Sequence, residues 1–371
     1  MYVQRLSLRD FRNYVEADVE LRPGVSVFQG TNGQGKTNLV EAIYTLAHGR
    51  SHRLSHLSGL IRRGADRAIV RATVVASDRS LNFEWEINRD GPSRYQVGGN
   101  PAKAIDFSRS LSVVMFAPED ITLIRGDPAV RRGYIDDVAC SLSPKLRGTL
   151  ADYERTLKQR NSLLKSLRSA SRKSIDLGTL DVWDENIVSL GSVIVAAREN
   201  TVSLLRPLLV ERYANISGTP DDTDVTLPLS VVADEGSYAQ NFAAQLREKR
   251  PDDMERGQTT LGPHRDDLYL SLNGLPARGY ASHGESWSFV LALRLAELDL
   301  KRSHGPAGDP IVILDDVFAE LDSQRRTHLA HGLRDVEQVL ITAAVEEDIP
   351  EPLRLFVTRI SGGKILDESA A

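Results

Sequence analysis

Eight consecutive residues, Gly30-Thr31-Asn32-Gly33-Gln34-Gly35-Lys36-Thr37, fit the pattern G-x-x-x-x-G-K-[ST] at every specified position. Phosphate chemistry explains the residue types. Glycines at 30 and 35 allow backbone conformations that a Cβ would block, so successive N–H groups, with Thr31, Asn32, Gly33 and Gln34 between them, turn inward around a phosphate. Lys36 adds a point charge between the β- and γ-phosphates of a nucleotide, and the Thr37 hydroxyl is a hard oxygen ligand suited to Mg²⁺. A second constellation stands near the other end of the chain, where the apolar run Ile311-Val312-Ile313-Leu314 ends in Asp315-Asp316. A carboxylate at the end of a buried strand can hold the metal of a P-loop site, which is the role of Asp315; Asp316 stands where a water-orienting or general-base acid is needed. Lys36, Asp315 and Asp316 are therefore the candidate catalytic residues, and Thr37 and Asp315 the candidate metal ligands.

The elements that must position these residues are legible around them. Val25-Ser26-Val27-Phe28-Gln29 alternates as a strand does, and Leu39, Val40, Ala42, Ile43, Leu46 and Ala47 share one helical face. Strand, loop and helix in this order aim a helix N-terminus at an anion. Residues 1 to 29 read as strand pairs ending at the Pro23-Gly24 turn, and residues 67 to 116 as short alternating strands punctuated by Asp90-Gly91-Pro92 and Gly98-Gly99-Asn100. From Pro144 onward Leu146, Leu150, Tyr153, Leu157, Leu164 and Leu167 keep near-heptad spacing with a gap at Arg160-Asn161. After the polar stretch 169–179, Trp183, Ile187, Leu190, Ile194 and Ala197 repeat at 4-3-4-3. Two amphipathic helices joined by a polar turn form either a short antiparallel arm or helices of an ordinary lobe. Residues 215 to 260 are polar, with one short helix over Tyr238–Glu248. A strand at 268–272 then runs into the hairpin turn Asn273-Gly274.

Composition narrows the class. The chain has 371 residues, 41% of them hydrophobic, enough for two or three cored domains. No run of about 18 apolar residues stands out and the N-terminus lacks a signal-peptide core, so a cytoplasmic protein without a membrane span is expected. The single cysteine, Cys140, reads as a buried small hydrophobe in a reducing compartment. Its eight histidines lack ligand spacing. Net charge is −5, yet residues 125 to 173 hold twelve Lys/Arg against five Asp/Glu, an asymmetry that points to a polyanionic partner. Arg131, Arg132, Lys158 and Lys165 in this segment are candidate phosphate contacts.

Ser282-His283-Gly284-Glu285 opens a further apolar-periodic helix some thirty residues before Asp315. By default such a serine is an N-cap. Its position resembles that of the Ser-x-Gly-[Gln/Glu] signature of ABC-type ATPases, which grips the γ-phosphate of a partner subunit's nucleotide, and Glu320-Leu321-Asp322 resembles the loop between their two sites. Unaided, His264 and Arg265 sit in a turn entering a strand, with a structural salt bridge expected.

Five stretches extend this likeness to one family. They are Asp10-Phe11-Arg12-Asn13-Tyr14; the P-loop running into Asn38-Leu39-Val40-Glu41-Ala42; Ala117-Pro118-Glu119-Asp120 with Arg131-Arg132; Gly262-Pro263-His264-Arg265-Asp266-Asp267; and Leu314 to Asp322. Together they resemble the RecF family of bacterial recombination mediators from one end of the chain to the other. The resemblance implies an α/β ABC/SMC-type P-loop ATPase head with an inserted helical lobe: head 1–118, lobe with its arm 119–260, head again 261–371. It implies ATP and Mg²⁺ as cofactors and a weak, DNA-dependent ATPase. It also implies ATP-dependent homodimerisation on double-stranded DNA at single-strand/double-strand junctions, with RecO and RecR type mediators that load recombinase during replication-linked repair of DNA damage. By the same likeness Arg12, Asn13 and Asn38 lie close to the nucleotide, as do Ser282, Gly284 and Glu285 of the signature. Glu285 replaces the usual Gln, Asp316 replaces the commoner Glu, only Thr342 stands where ABC transporters place a switch histidine, and no Q-loop glutamine is found near Pro118. A transporter subunit fits poorly with roughly 240 residues between P-loop and signature. A long-armed SMC protein needs hundreds of heptad residues.

Overall fold

The computed structural model describes residues 1–54, 56–76, 79–169, 178–219, 221–354 and 357–366. In chain order the strands are β1 (Tyr2–Phe11), β2 (Tyr14–Glu20), β3 (Gly24–Gln29), β4 (Arg67–Ala76), β5 (Arg79–Asn88), β6 (Arg94–Val97), β7 (Asn100–Ala102), β8 (Val113–Phe116), β9 (Thr223–Thr226), β10 (Tyr269–Leu272), β11 (Leu275–Pro276), β12 (Ile311–Asp315), β13 (Gln338–Ala343), β14 (Val357–Ser361) and β15 (Lys364–Leu366). They belong to two compact units, one comprising residues 1–124, 208–221 and 281–371, the other 125–207 and 222–280.

The first unit holds two six-stranded sheets. One has the order β2-β1-β4-β5-β6-β7 and is antiparallel throughout. The other, β15-β14-β3-β13-β12-β8, is parallel except for its β15 edge. A single apolar cluster draws Leu6, Leu8 and Phe11 from β1, Trp85 and Ile87 from β5, and Ile311 and Ile313 from β12. The apolar face of the helix Lys36–His48 (Leu39, Val40, Ile43, Leu46) joins them. All five residues of β12 are buried, as befits a strand covered on both faces. The helix His283–His304 lies on the parallel sheet, its Lys301 Nζ donating to the Val113 carbonyl at 3.0 Å.

The second unit is helical around a small sheet, β11-β10-β9. Its core gathers Tyr153, Ile187 and Ile194 with Phe242 and Leu246 of the helix Tyr238–Glu248. Gly191 sits so near Phe242 that a Cβ would lie 2.8 Å from the ring. The two heptad helices, Leu146–Ser169 and Gly178–Ser217, are therefore packed into a lobe and do not form a free arm. Most of the polar turn expected between them lies outside the described residues. The heptad gap has a physical cause: Arg160, with no exposed surface, donates to Asp184 (2.6 Å), Asp253 (2.7 Å) and Thr259 (2.8 Å). Asn161 accepts the Thr259 N–H at 2.7 Å.

Two expectations need correction here. The boundary expected at 260 falls at 280, because β10 pairs with β9 in register Leu270 to Val225 and so belongs to the lobe. Residues 208–221 go with the head instead, where Arg212 pairs with Asp299 (2.6 Å) and the Tyr213 ring meets Phe289 edge-on; Pro207 marks the crossing inside one helix. Residues 119–124 also go with the head. Second, Arg131 is 5% exposed and its guanidinium is spent on Asp267, with both bonds at 2.8 Å. It cannot also serve a phosphate, and Arg132 donates to the Asp266 carbonyl at 2.9 Å. The local excess of basic residues is thus partly neutralised by acids from elsewhere in the lobe. Lys158, its side chain 76% exposed, pairs with Glu154 one turn away; Arg172 and Lys173 lie outside the described residues. One helix among the described residues, Gly178–Ser217, also reaches the length and mean hydropathy of a membrane span. The core helix of a water-exposed domain passes that test equally, and Ile187, Ile194, Leu205 and Leu209 on it are fully buried.

The Gly262–Asp267 stretch is a staple within the lobe. His264 bridges the Tyr153 hydroxyl (2.8 Å) and the Thr259 carbonyl (3.1 Å), and burial lowers its pKa to about 4. Arg265 donates to the same carbonyl at 2.8 Å, so hydrogen bonds stand where a salt bridge was expected. Arg198 ties Asp136 (2.7 Å) to the Pro263 carbonyl (2.7 Å).

Candidate functional site

The site is built where β3 and β12 end, on either side of β13. β3 delivers the chain into the loop 30–35, and Gly35, with φ 115°, caps the helix Lys36–His48. That conformation suits only glycine, and a Cβ there would press on Asn13 at 2.6 Å. The reason for Gly30 differs from the one its sequence suggested: its φ is ordinary, but a Cβ would collide with the Ile360 carbonyl of β14. Thr31, Asn32 and Gly33 form the exposed apex. Lys36 is buried, its Nζ donating to the Gly30 carbonyl at 2.7 Å and standing 3.9 Å from Asp316 Oδ1.

Residues far apart in sequence close this loop. The Thr37 hydroxyl donates to Asp315 Oδ1 at 2.8 Å, and the Thr342 hydroxyl donates to the same oxygen at 2.7 Å. Burial pushes the Asp315 carboxyl up to about 6, against both hydroxyls, which lower it. A threonine hydroxyl and a carboxylate side by side are hard oxygen donors, and they fit a divalent cation such as Mg²⁺, whose charge would replace the proton that burial favours. Asp316 follows in the left-handed region at φ 51°, unusual for a residue with a side chain.

The connection between β1 and β2 packs on the loop's flank. Asp10 and Arg12 both take positive φ there. The Tyr14 hydroxyl donates to the Gly35 carbonyl at 3.0 Å, and Asn13 Nδ2 donates to the Gln34 carbonyl at 3.1 Å while its Oδ1 accepts from Asn38 at 2.8 Å. The β14–β15 turn grips the same residue: the Gly363 N–H donates to the Gln34 carbonyl at 3.0 Å and the Gly362 N–H to the Gln34 side chain. Arg12, Asn13, residues 30–38, Asp315 and Asp316 are thus one constellation.

Two of its members escaped the sequence reading. Glu41 has no exposed surface and receives Arg12 through two bonds (2.8 and 2.7 Å), Arg53 (2.8 Å) and the Ser51 hydroxyl (2.5 Å). Arg53 also donates to Asn38 Oδ1 at 2.8 Å. Burial alone would raise the Glu41 carboxyl, but the hydrogen bonds from Arg12, Arg53 and Ser51 outweigh it and hold the pKa at about 2 against an ordinary 4.5. A depressed carboxylate stabilises the fold above its unfolded pKa and loses that contribution as pH falls through the folded one. Wild-type stability should therefore drop by about 3 kcal/mol between pH 4.5 and 2 on this account. Glu41→Gln, which strands two guanidinium groups, should cost about 3 kcal/mol at pH 7 and flatten that acid limb. Urea midpoints across pH check both; equal acid limbs in the two proteins would refute the assignment.

The signature residues stand apart. The Ser282 hydroxyl accepts the Glu285 N–H (3.3 Å) while the Glu285 carboxylate accepts the Ser282 N–H (2.7 Å), a capping box that also lowers the Glu285 pKa. Arg325 covers Gly284, where a Cβ would come within 3.0 Å of its guanidinium, and it donates to Ser288 at 2.9 Å and to Asp322. Among the described residues no hydrogen bond or ion pair joins Ser282, Gly284 or Glu285 to the P-loop.

With this geometry established, the chain can be compared with known proteins. Residues 2–358 match the family described as RecF/RecN/SMC N terminal domain. The DNA replication and repair protein RecF of Clavibacter michiganensis subsp. michiganensis (strain NCPPB 382) is 48% identical, over 100% of this chain and 97% of that protein. The chain belongs to the RecF family. The protein of the same name from Streptomyces avermitilis is 46% identical over 98% of this chain and 99% of its own. Among solved structures, the recombination mediator protein RecF-ATPrS in the RecFOR pathway superposes with a TM-score of 0.90 at 28% identity, covering 100% and 98% of the two chains. An Smc head bound to the C-winged helix domain of ScpA superposes at 0.57 with 17% identity, a likeness of fold alone. The ABC/SMC-type α/β head expected from the motifs is the fold that these relatives share.

Proposed function

We propose that this chain is an ATP-dependent, DNA-binding recombination mediator that dimerises on double-stranded DNA at gaps, acts with RecO and RecR type partners to load recombinase, and hydrolyses ATP slowly in the cytoplasm. What carries the reading is the meeting of the two halves of the site, 278 residues apart, at the Thr37–Asp315 hydrogen bond. The protein in the superposed structure, described with ATPrS and named a recombination mediator, supports it further.

In this reading residues 30–35 cradle the phosphates with backbone N–H groups at a helix N-terminus, and Lys36 grips the β- and γ-phosphates. Thr37 and Asp315 would hold Mg²⁺, whose positive charge would offset that of the phosphate oxygens. Asp316 orients the attacking water; its side chain is shorter than the more usual Glu, which accords with low turnover. Arg12, Asn13 and Asn38, braced by Glu41, flank the nucleotide. Ser282, Gly284 and Glu285 serve the nucleotide of a second copy.

Gel filtration tests the whole. The chain should run as a monomer with ADP and as a dimer with ATP and duplex DNA, with ATP turnover rising on addition of duplex and more so on gapped duplex. A chain that remains monomeric with ATP and DNA, and whose turnover ignores DNA, is not this mediator.

A further inference from the structure

Thr342 occupies the sheet position from which it can reach both acids. It sits in β13, the strand between β3 and β12, with Phe28 as its register partner on one side and Asp315 on the other. Thr342 is almost wholly buried, and its hydroxyl both donates and accepts. The proton goes to Asp315 Oδ1 (2.7 Å), and the oxygen accepts the Asp316 N–H (2.9 Å), which also lies 3.3 Å from the Thr342 carbonyl. Asp316 needs such support: a left-handed conformation at a residue with a Cβ costs on the order of 1 kcal/mol or more and persists only where surrounding contacts over-determine it. Its one proton is committed to Asp315, and an ionised phosphate oxygen can only accept, so the hydroxyl has nothing left to donate to a nucleotide phosphate.

We infer that Thr342 is a positioning residue, whose single hydroxyl fixes the rotamer of Asp315 and the backbone of Asp316 together, and that it is not a switch contact to the nucleotide. This rests on the nucleotide-site reading above. All six residues of this strand are buried, so a purely structural role of the side chain must be separated from the hydroxyl's role.

Two substitutions separate them. Thr342→Val keeps the volume and the β-branch but removes the hydroxyl, leaving the Asp316 N–H with only its longer bond. Thr342→Ser keeps the hydroxyl and removes the methyl. Outer-shell partners of metal-binding carboxylates are typically worth ten- to a hundredfold in activity or metal affinity. In the full chain, Thr342→Val should lower kcat about ten- to a hundredfold, with KM for ATP at saturating Mg²⁺ within about twofold of wild type. The Mg²⁺ concentration that half-restores ATP binding, read by calorimetry without turnover, should rise about tenfold, while ATP binding in EDTA stays unchanged. Thr342→Ser should stay within about threefold of wild type in each.

A Val variant with wild-type kcat and Mg²⁺ requirement overturns the inference. So does a Ser variant as impaired as Val, because the methyl would then be what matters. If the Val chain lacks the wild-type melting transition, the Ser variant decides alone, near-wild-type kcat supporting the inference and a tenfold loss overturning it. A wild-type chain that binds no Mg-ATP overturns the nucleotide-site reading and this inference with it, whereas a wild-type ATPase with an indifferent Val variant overturns only the inference.

Discussion

Lys36→Ala should abolish ATP binding, lowering affinity by at least about a hundredfold while leaving the melting transition in place. The ammonium is buried at 3% exposure and held between the Gly30 carbonyl and Asp316, so it is already at the place where phosphate oxygens would meet it. Removing it takes away the positive side chain of the loop, so the backbone N–H groups of residues 30–35 must oppose the charge of the triphosphate without it. Asp315→Asn and Asp316→Asn should behave differently. Each should still bind ATP, because the cradle is intact, and hydrolyse it about 10² to 10³ times more slowly, trapping the bound state. Calorimetry for binding and single-turnover assays for hydrolysis distinguish the classes. Wild-type turnover by Asp316→Asn would remove that residue from the catalytic set.

The parts of this site written contiguously were legible in the sequence. A loop pattern flanked by strand and helix periodicity, and an apolar run ending in acids, are local signals, and the structure delivers β3, the helix Lys36–His48 and β12 where those signals lie. What escaped are the groups that approach from elsewhere. Arg53 and the Gly362-Gly363 turn reach the site only through sheet order and loop packing, neither of which a one-dimensional pattern encodes, and Thr342, placed by resemblance at a switch position, gave no sign of its bond to Asp315. Glu41 left no such trace: at 3.6 residues per turn it lies on the side of its helix opposite Leu39 and Ile43, where a solvated carboxylate is expected, and its burial comes from Arg12, Arg53 and Ser51 closing over it. The heptad gap at Arg160 did leave a signal in the lobe, an ionisable residue on a seam whose partners, Asp184 and Asp253, lie on other segments.

Domain boundaries were hidden for a related reason. The composition changes near Pro118 and again near Leu261, but the helix Gly178–Ser217 passes from one compact unit to the other without a loop, and β9 finds β10 across more than forty residues. Glycine at position 30 teaches a complementary lesson. The residue type was read correctly as necessary, yet the cause is the close approach of β14, which no pattern around residue 30 contains.

Ser282→Arg should spare ATP binding and abolish both ATP-dependent dimerisation and hydrolysis. Ser282 opens a 22-residue helix whose first turn carries partial positive charge, and its hydroxyl accepts the Glu285 N–H in a local capping box. Gly284 beside it has no side chain of its own, and the Arg325 guanidinium lies against it. Nothing among the described residues bonds this turn to the P-loop of the same chain, so on the proposed reading its nucleotide belongs to a second copy. ATP then bridges two chains, whereas ADP lacks the group being gripped and lets them part. An arginine at 282 fills the space where the γ-phosphate would enter, without touching Lys36 or Thr37. Neither Ser282→Arg nor Lys36→Ala alone should turn over ATP. Mixed, they can form heterodimers in which one composite site is intact, with Lys36 from one chain and Ser282 from the other. ATPase activity should then recover on mixing, to no more than about a quarter of wild type if chains pair at random and the two composite sites act independently. Activity in the Ser282→Arg chain alone, while it stays monomeric with ATP and DNA, would show that the signature turn has no part in hydrolysis; mixing without recovery would mean that the two halves of the composite site do not come from opposite chains.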